Sequence, residues 1–505
     1  MSDSSPFDRA FAALTDRGPG RMLPDLSRIT DLAELLGDPQ LAYPSVHVTG
    51  TNGKGSVVRM VGALCSAAGM SAGTYTSPHL QTVRERLSLA GRHISAARFA
   101  EVHDEVATLA GLLDDTALAR DGDDADRITY FEMLTAMAYW WFADSPVDVA
   151  VFEVGMGGAF DATNLVRGDV AVINEIDVDH PQLGSTPAEV AREKVGIIKP
   201  GARVVSAEQA PEVVSVIEAA VAEAGATILW AGQDLEVEER AVAVGGQLVT
   251  LRVGDRSIDE ILLPVFGAHQ ARNAALALGA FAELTGEAFD GMDDELVRHG
   301  LGAVTVPGRL EIVHRDPTVV LDGAHNPHGA RAAAAALDES FGFRELVLVA
   351  ACLDDKDVEG ILRELRDVAS HVIVTRAPSP RAASLARMQS AAMEVWGDTG
   401  IVVEVAADLG TALGLAETVA REGDGVLVAG SLLTVGGARD RYLAVPDDLD
   451  DDAVVLEPAD EDEPLEDEET DELVDLLADE TAFREAIEDL LDADAAGDDG
   501  ADRGR

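Results

Sequence analysis

Lysine is nearly absent from this chain. Its 505 residues hold four, Lys54, Lys194, Lys199 and Lys356, beside 34 arginines. Cysteine is scarcer still. Cys65 and Cys352 are too few and too far apart for a disulfide framework or a thiolate metal site, and both fall in apolar patterns that predict small core residues. No apolar run reaches the roughly 18 residues that a membrane span needs. The opening Met1-Ser2-Asp3-Ser4-Ser5 has neither the basic nor the apolar region of a secretion signal, so a cytoplasmic protein is expected. Aromatic residues make up 4% of the chain, and Trp140 and Trp141 are expected in the core.

Acidic residues are abundant. The formal net charge is −54, and residues 446–505 hold 27 acidic residues against three arginines, a net of −24 that leaves −30 on residues 1–445. Such a field repels nucleic acid and anionic membranes and destabilises the compact state by self-repulsion at low salt. At molar salt the Debye length shrinks to about 3 Å and that repulsion is largely screened. The composition therefore predicts a salt-rich cytosol, as in halophiles, and it makes every retained lysine informative.

At 47% hydrophobic and this length, two or three domains are expected. Residues 1–44 read as a helical lead-in. From Ser45 the pattern becomes strand, glycine-rich turn, helix: Ser45–Thr49 is a short apolar run, and Val57–Ala68 carries apolar residues at helical spacing. Strands are predicted at Val147–Val154, Asp169–Asn174, Arg203–Ala207 and Gln247–Val253, with helices at Ser95–Leu113, Tyr130–Phe142 and Pro187–Ile197. That alternation predicts an α/β fold with a mostly parallel sheet over residues 45–305. After Val306-Pro307-Gly308 a second series (Thr318–Leu321, Leu346–Ala351, His371–Thr375, Ile401–Val405, Gly425–Ala429) predicts a smaller Rossmann-like α/β domain over 306–445. Residues 446–505 read as an acidic, low-complexity tail or linker. Leu473, Leu476, Leu477, Phe483, Ile487, Leu490 and Leu491 fall roughly on one helical face, so the segment is either solvated or a helix that docks on a partner.

The turn itself is Gly50-Thr51-Asn52-Gly53-Lys54-Gly55-Ser56. Between a strand and a helix, such a turn exposes backbone N–H groups to phosphate oxygens, the helix N-terminus adds positive potential, a lysine pairs the phosphates and a following hydroxyl holds Mg²⁺. Its spacing is shorter than G-x-x-x-x-G-K-[ST], and Gly55 is extra. Glu153 ends an apolar strand just before Gly-x-Gly-Gly, which puts its carboxylate at the carboxyl edge of the sheet near the loop, where a hard oxygen ligand suits Mg²⁺.

The string Thr49–Ser56 resembles the phosphate loop of the Mur-ligase superfamily, and specifically of its folylpolyglutamate/dihydrofolate synthase branch. Further matches follow in order: Thr76-Ser77-Pro78-His79-Leu80, Thr129–Ala136, Phe152–Gly158 with Asp161–Asn164, Asp179-His180, Arg192–Lys199, Phe266–Gln270 with Asn273, Pro307–Glu311, Asp322–Pro327, Asp355–Asp357 and Gly430–Leu432. The resemblance spans residues 24–442 or so. It implies a P-loop-containing Mur-ligase-type central domain, a Rossmann-like glutamate ligase domain, and ATP-dependent joining of L-glutamate to a folate or pteroate carboxylate through an acyl-phosphate. It implies Ser56, Glu153, His180 and a carbamylated Lys194 around two Mg²⁺ sites, although the loop after His180 is one residue shorter than usual. It also implies Gln270 and Asn273 at the base and phosphates, Asp322 at the ribose, Arg309 as a phosphate clamp, Ser77, Pro78 and His79 at the folate, and His325 and Ser431 at the incoming glutamate. A monomer is expected, with another folate-pathway enzyme as a candidate partner of the tail. A Mur-type ligase of nucleotide-linked cell-wall precursors would share loop, metals and chemistry, but Ser77–Leu80 and the lack of a uridine-binding domain before residue 45 speak against it. Intact Lys54, Glu153 and Lys194 speak against a catalytically silent regulator.

Overall fold

The strand that precedes the loop, β1 (Ser45–Thr49), is buried along its whole length. Burial of every residue requires cover on both faces, and β1 is hydrogen-bonded in parallel on each side. The computed structural model describes residues 4–18, 24–122, 126–178 and 182–443. His180 and the acidic segment 446–505 lie outside the described residues.

In the first sheet β1 is followed by β2 (Ala72–Tyr75), β3 (Leu87–Leu89), β4 (Arg92–His93), β5 (Val149–Glu153), β6 (Val170–Ile173), β7 (Arg203–Ser206) and β8 (Thr227–Trp230), in the order β4-β3-β2-β5-β1-β6-β7-β8. All neighbours are parallel except β2-β3 and β3-β4, an antiparallel edge that the sequence reading did not contain. Val46 and Val48 face a core shared with helix α3 (Lys54–Ala67). Ala150 and Phe152 face the opposite core. Each buried valine is worth about 1.5–3 kcal/mol. Because the chain crosses from β1 to β2 on one side and β6 flanks it on the other, the turn after β1 sits at a topological switch point. Glu153 ends the strand on one side of it, and Asn174 follows the strand on the other. That is where open α/β sheets bind ligands.

Ahead of β1 lie helices α1 (Pro6–Asp16) and α2 (Ser27–Leu35), whose Leu14, Ile29 and Leu32 are buried in the core of Phe99, Val102 and Tyr139. The helix predicted at Ser95–Leu113 continues to Asp121, from Ala96. Trp141 is buried, whereas Trp140 sits at the rim with its indole N–H donating to Glu105. The strand expected at Gln247–Val253 belongs instead to a separate antiparallel sheet of β9 (Leu235–Ala243), β10 (Gly246–Val253) and β11 (Arg256–Leu263). Both cysteines are buried and free.

The second α/β sheet holds β12 (Glu311–Arg315), β13 (Thr318–Leu321), β14 (Leu346–Ala350), β15 (His371–Val374), β16 (Val402–Val405) and β17 (Gly425–Ala429), in the order β12-β13-β17-β14-β15-β16. It is parallel apart from β12, which adds an antiparallel edge. Apolar cores cover both of its faces. Among the described residues, no helix is long and apolar enough to cross a membrane.

Candidate active site

Gly53 starts α3 with φ +81° and no side-chain cap, so the first-turn N–H groups of the helix point outward unclaimed by any capping side chain. The loop is moored on its other flank. Thr51 donates its N–H to the Glu175 carbonyl at 2.9 Å and its hydroxyl to the Asp177 carbonyl at 2.7 Å. Two lysines 140 residues apart in sequence converge on one atom of this loop. Lys54 Nζ donates to the Gly50 carbonyl at 3.2 Å and to the Thr51 carbonyl at 3.3 Å, while Lys194 Nζ, buried at the end of helix Pro187–Lys194, donates to the same Gly50 carbonyl at 2.8 Å. Two ammonium groups this close create a strongly positive point, and the cleft they share with Thr51, Gly155 and Asp177 holds about 10 Å³.

Glu153 is buried, and its Oε2 accepts the Ser77 N–H at 2.8 Å. Burial raises its pKa, opposed by Lys54, the Ser77 N–H, Arg309 and Arg59. Gly55 makes room for this carboxylate, since a Cβ there would stand 3.3 Å from Oε2. Ser56 is 3% exposed, and its Oγ has no hydrogen-bond partner among the described residues. A buried hydroxyl left unpaired costs about 1–3 kcal/mol, and a cation between it and Glu153 relieves both groups. The residues present thus fit a Mg²⁺ ion by oxygen chemistry. Among the described residues, no group of three or more His, Cys, Asp or Glu gathers at a metal position.

On the other side of the loop opens a cavity of about 720 Å³, within the range of small-molecule sites. Asn52, Gly53, Ser56, Gln270, Asn273, Leu276, Arg309, Asp322 and His325 are among the residues that line it. Asn273 is fixed by Asn174 Nδ2 at 2.9 Å and in turn donates to Gln270 Oε1 at 3.0 Å. Asp322 accepts the N–H groups of Leu310 and Ala324 at 3.0 and 2.8 Å, and burial raises its pKa against the pull of Arg309. His325 Nδ1 lies 2.9 Å from the Gly323 carbonyl oxygen.

The fold therefore brings Gly50–Ser56, Glu153, Lys194, Gln270, Asn273, Arg309, Asp322 and His325 together. Ser77 adjoins Glu153 through its N–H and is joined to the exposed Pro78 by a cis peptide bond. His79 Nδ1 accepts from Arg86 at 3.0 Å, and burial pushes its pKa down to about 4. Ser431 follows strand β17 at the start of a helix. It is 1% exposed and caps helix Leu432–Tyr442, its hydroxyl accepting the Leu433 and Thr434 N–H groups at 3.1 and 3.3 Å.

Asn326, His328 and Glu175 were given no role from sequence. Asn52 of the loop pairs with Asn326 (Asn326 Nδ2 to Asn52 Oδ1, 3.0 Å) and its Nδ2 lies 2.9 Å from His328 Nδ1. His328 Nε2 is 3.3 Å from Glu175, and each raises or lowers the other's pKa toward the charged form. These contacts tie the loop to the second α/β sheet. The signal in sequence was the asparagine of Asp322–Pro327, at the N-cap of the helix that begins at Pro327.

The Mur ligase middle domain family matches residues 48–281, and the Mur ligase glutamate ligase domain family matches residues 308–432. A dihydrofolate synthase/folylpolyglutamate synthase of Mycobacterium tuberculosis is 42% identical over 445 residues, which cover 83% of this chain and 90% of that protein. The solved structure of a Mycobacterium tuberculosis folylpolyglutamate synthase complexed with ADP superposes with a TM-score of 0.81 at 40% identity, over 87% of this chain and 99% of that one. A structure described as an FPGS–AMPPCP–folate complex superposes with a TM-score of 0.73 at 29% identity, over 87% of this chain and all of that one. Two domain families matched in chain order, and a relative covered over nine-tenths of its length, identify the chain as a member of the folylpolyglutamate synthase/dihydrofolate synthase family of Mur-type ligases.

Proposed function

We propose that this chain joins L-glutamate to a folate-type carboxylate, on dihydropteroate or on a reduced folate that already bears glutamate, with ATP as the phosphoryl donor and ADP and phosphate as products. The observation that carries this reading is the convergence of Lys54, Lys194, the partnerless Ser56 hydroxyl and Glu153 at the uncapped start of α3, at the mouth of a ligand-sized cavity. The relatives' substrates support it.

In this reading the first-turn N–H groups and Lys54 hold the phosphates, Arg309 clamps them from the linker, Gln270 and Asn273 face the base and Asp322 the ribose. Ser56 and Glu153, with His180 and Lys194, would hold Mg²⁺, which when bound would neutralise phosphate charge. Lys194 is the candidate for carbamylation, a modification that a carbamate signal in ¹³C NMR would reveal. The acceptor lies along Ser77–His79, and its carboxylate takes the γ-phosphoryl group to become an acyl-phosphate. His325 faces the incoming glutamate, whose amine attacks the activated carbonyl as phosphate leaves; Ser431 holds that strand end in place as a cap. The Asn52–Asn326 contact closes the two α/β units over the intermediate and excludes water that would hydrolyse it. We further read the protein as a cytoplasmic monomer of a salt-rich cell, with the acidic segment 446–505 as a docking element for another folate-pathway enzyme.

The test is ADP release by purified protein in high salt. It is expected only when ATP, glutamate and a folate acceptor are all present, and Lys54→Ala is expected to lower it by at least about 10³-fold. ADP release that depends on a nucleotide-linked muramyl precursor instead would sink the folate assignment.

A further inference from the structure

Helix α3 presents a second feature below its loop. Gly55, Arg59 and Gly62 are four and three residues apart and so share one face of the helix. Gly55 lies against Glu153, and Gly62 lies against Thr74, whose Cγ2 would be 2.7 Å from a Cβ on it. Arg59 leaves the helix between these contacts, about 6 Å beyond Gly55 along the axis. Helical side chains lean toward the helix N-terminus, which here is the carboxyl edge of the sheet, where β2 runs into Ser77.

At that edge Arg59 stands in the field of Glu85, Glu153, Glu311 and Arg439, with His93 close by. The acidic groups among these are already engaged. Glu85 accepts the N–H groups of Leu80, Gln81 and Thr82 at 2.8, 2.8 and 2.9 Å. Glu311 accepts Arg439 Nε at 3.0 Å on both oxygens and the Gly308 N–H at 2.8 Å. Glu153 accepts the Ser77 N–H. Arg59, only partly exposed, makes no hydrogen bond or ion pair among the described residues. A guanidinium carries five donors in a planar fork that matches a carboxylate bidentately. Left unpaired where water is restricted, it is costly. Three carboxylates thus offset the Arg59 charge, but among the described residues none accepts its hydrogen bonds, so its donors remain available to a further oxygen ligand.

We propose that Arg59 receives the α-carboxylate of the acceptor's terminal glutamate, the carboxylate that neighbours the one being activated; this rests on the folate-ligase reading. The reacting carboxylate must lie between the phosphate loop and Glu153 to meet the phosphoryl group. On an acceptor that ends in glutamate, the second carboxylate is three carbons away, and Arg59 is the cation one helical turn farther along the same face. An acceptor that ends in its aryl carboxylate, as a pteroate does, offers Arg59 nothing. Arg59 is thus a specificity residue for chain extension over first addition.

The experiment compares two reduced-folate acceptors, one ending in glutamate and one ending in 4-aminobutyrate, which keeps the reacting carboxylate and lacks the α-carboxylate. The wild-type protein is expected to favour the glutamate acceptor in KM by about 10–100-fold, the worth of a charge-assisted hydrogen-bond pair. Arg59→Gln is expected to erase that preference by raising KM for the glutamate acceptor alone, and Arg59→Lys to restore part of it, with KM for ATP unchanged in both. Equal KM for the two acceptors in the wild type overturns the proposal whatever the variants do. So does an equal loss on both acceptors in Arg59→Gln, which would make Arg59 a support for Glu153. No turnover of any folate acceptor by the wild type would instead sink the ligase reading itself.

Discussion

Gly55→Ala separates stability from activity. Gly55 is the second residue of α3 and needs no positive φ, so alanine there fits the helix, and the propensity gain is up to about 1 kcal/mol. The new methyl, however, would stand 3.3 Å from Glu153 Oε2 and 3.6 Å from Oε1. The carboxylate cannot swing aside freely, because Oε2 holds the Ser77 N–H at 2.8 Å and the side chain is buried. It must yield by a few tenths of an ångström together with the acceptor loop, or take another rotamer. A misplacement on the order of 1 Å at a reacting centre costs about 10²-fold, or about 2.7 kcal/mol of barrier. The assay is the rate of glutamate- and acceptor-dependent ADP release over a Mg²⁺ titration, beside the thermal midpoint. The expected result is an unchanged or higher midpoint with kcat down about 10–100-fold and half-saturation at higher Mg²⁺. A kcat within about twofold of wild type at every Mg²⁺ level would refute the claim that Gly55 exists to seat Glu153.

The remaining predictions concern pH and salt. The His328–Glu175 pair raises the His328 pKa above 6.5 and lowers the Glu175 pKa below 4.5. The histidine's contribution is whole below its unfolded pKa near 6.5 and fades as pH rises through its folded value. The carboxylate's contribution is present above its unfolded value and fades as pH falls through its folded one. With side chains 31% and 47% exposed, the pair is worth under about 1 kcal/mol. His328→Gln is therefore expected to lower the thermal midpoint by a degree or so at pH 5.5 and not at pH 8.5, and an equal drop at both would assign the effect to Asn52 instead. Charge self-repulsion predicts that raising KCl from 0.1 to 2 M lifts the midpoint by at least about 5 °C. A flat response would contradict the reading of the −54 net charge as a burden that salt screens.

What the sequence made legible was what local periodicity dictates. β1 could be read from five residues because Val46 and Val48 alternate with the short or strand-compatible Ser45, His47 and Thr49 directly before a glycine-rich turn, and α3 because its apolar spacing begins right after the glycines. The antiparallel pieces escaped. β3 and β4 are three and two residues long, too short for a period-2 pattern to rise above noise. β9 to β11 were half visible, since the alternation at Gln247–Val253 is real, but nothing local says whether a strand joins a parallel sheet or pairs with its hairpin neighbours. The helix at Ser95 overran its predicted end because the residues after Leu113 are largely solvent-facing and carry no continuous apolar stripe. Helical propensity carried them to Gly122, where φ turns to +64°.

The same divide between local and distant runs through the site. Lysine scarcity marked Lys54 and Lys194 as meaningful, and the structure turns that bulk statistic into geometry, two ammonium groups on the Gly50 carbonyl. A surface kept acidic and arginine-rich retains lysine where a compact point charge is wanted and a planar fork would not fit. Arg59 makes the converse argument. It is one arginine among 34, so composition could not single it out. Its meaning depends on Glu85, Glu311 and Arg439, brought from as far as 380 residues away in sequence and each already satisfied. A residue whose role is set by what its neighbours have left unpaired is invisible until every neighbour's hydrogen bonds are counted. The specificity of this ligase for its acceptor is therefore written in the contact ledger at the junction of its sheets, and the chemistry in the loop.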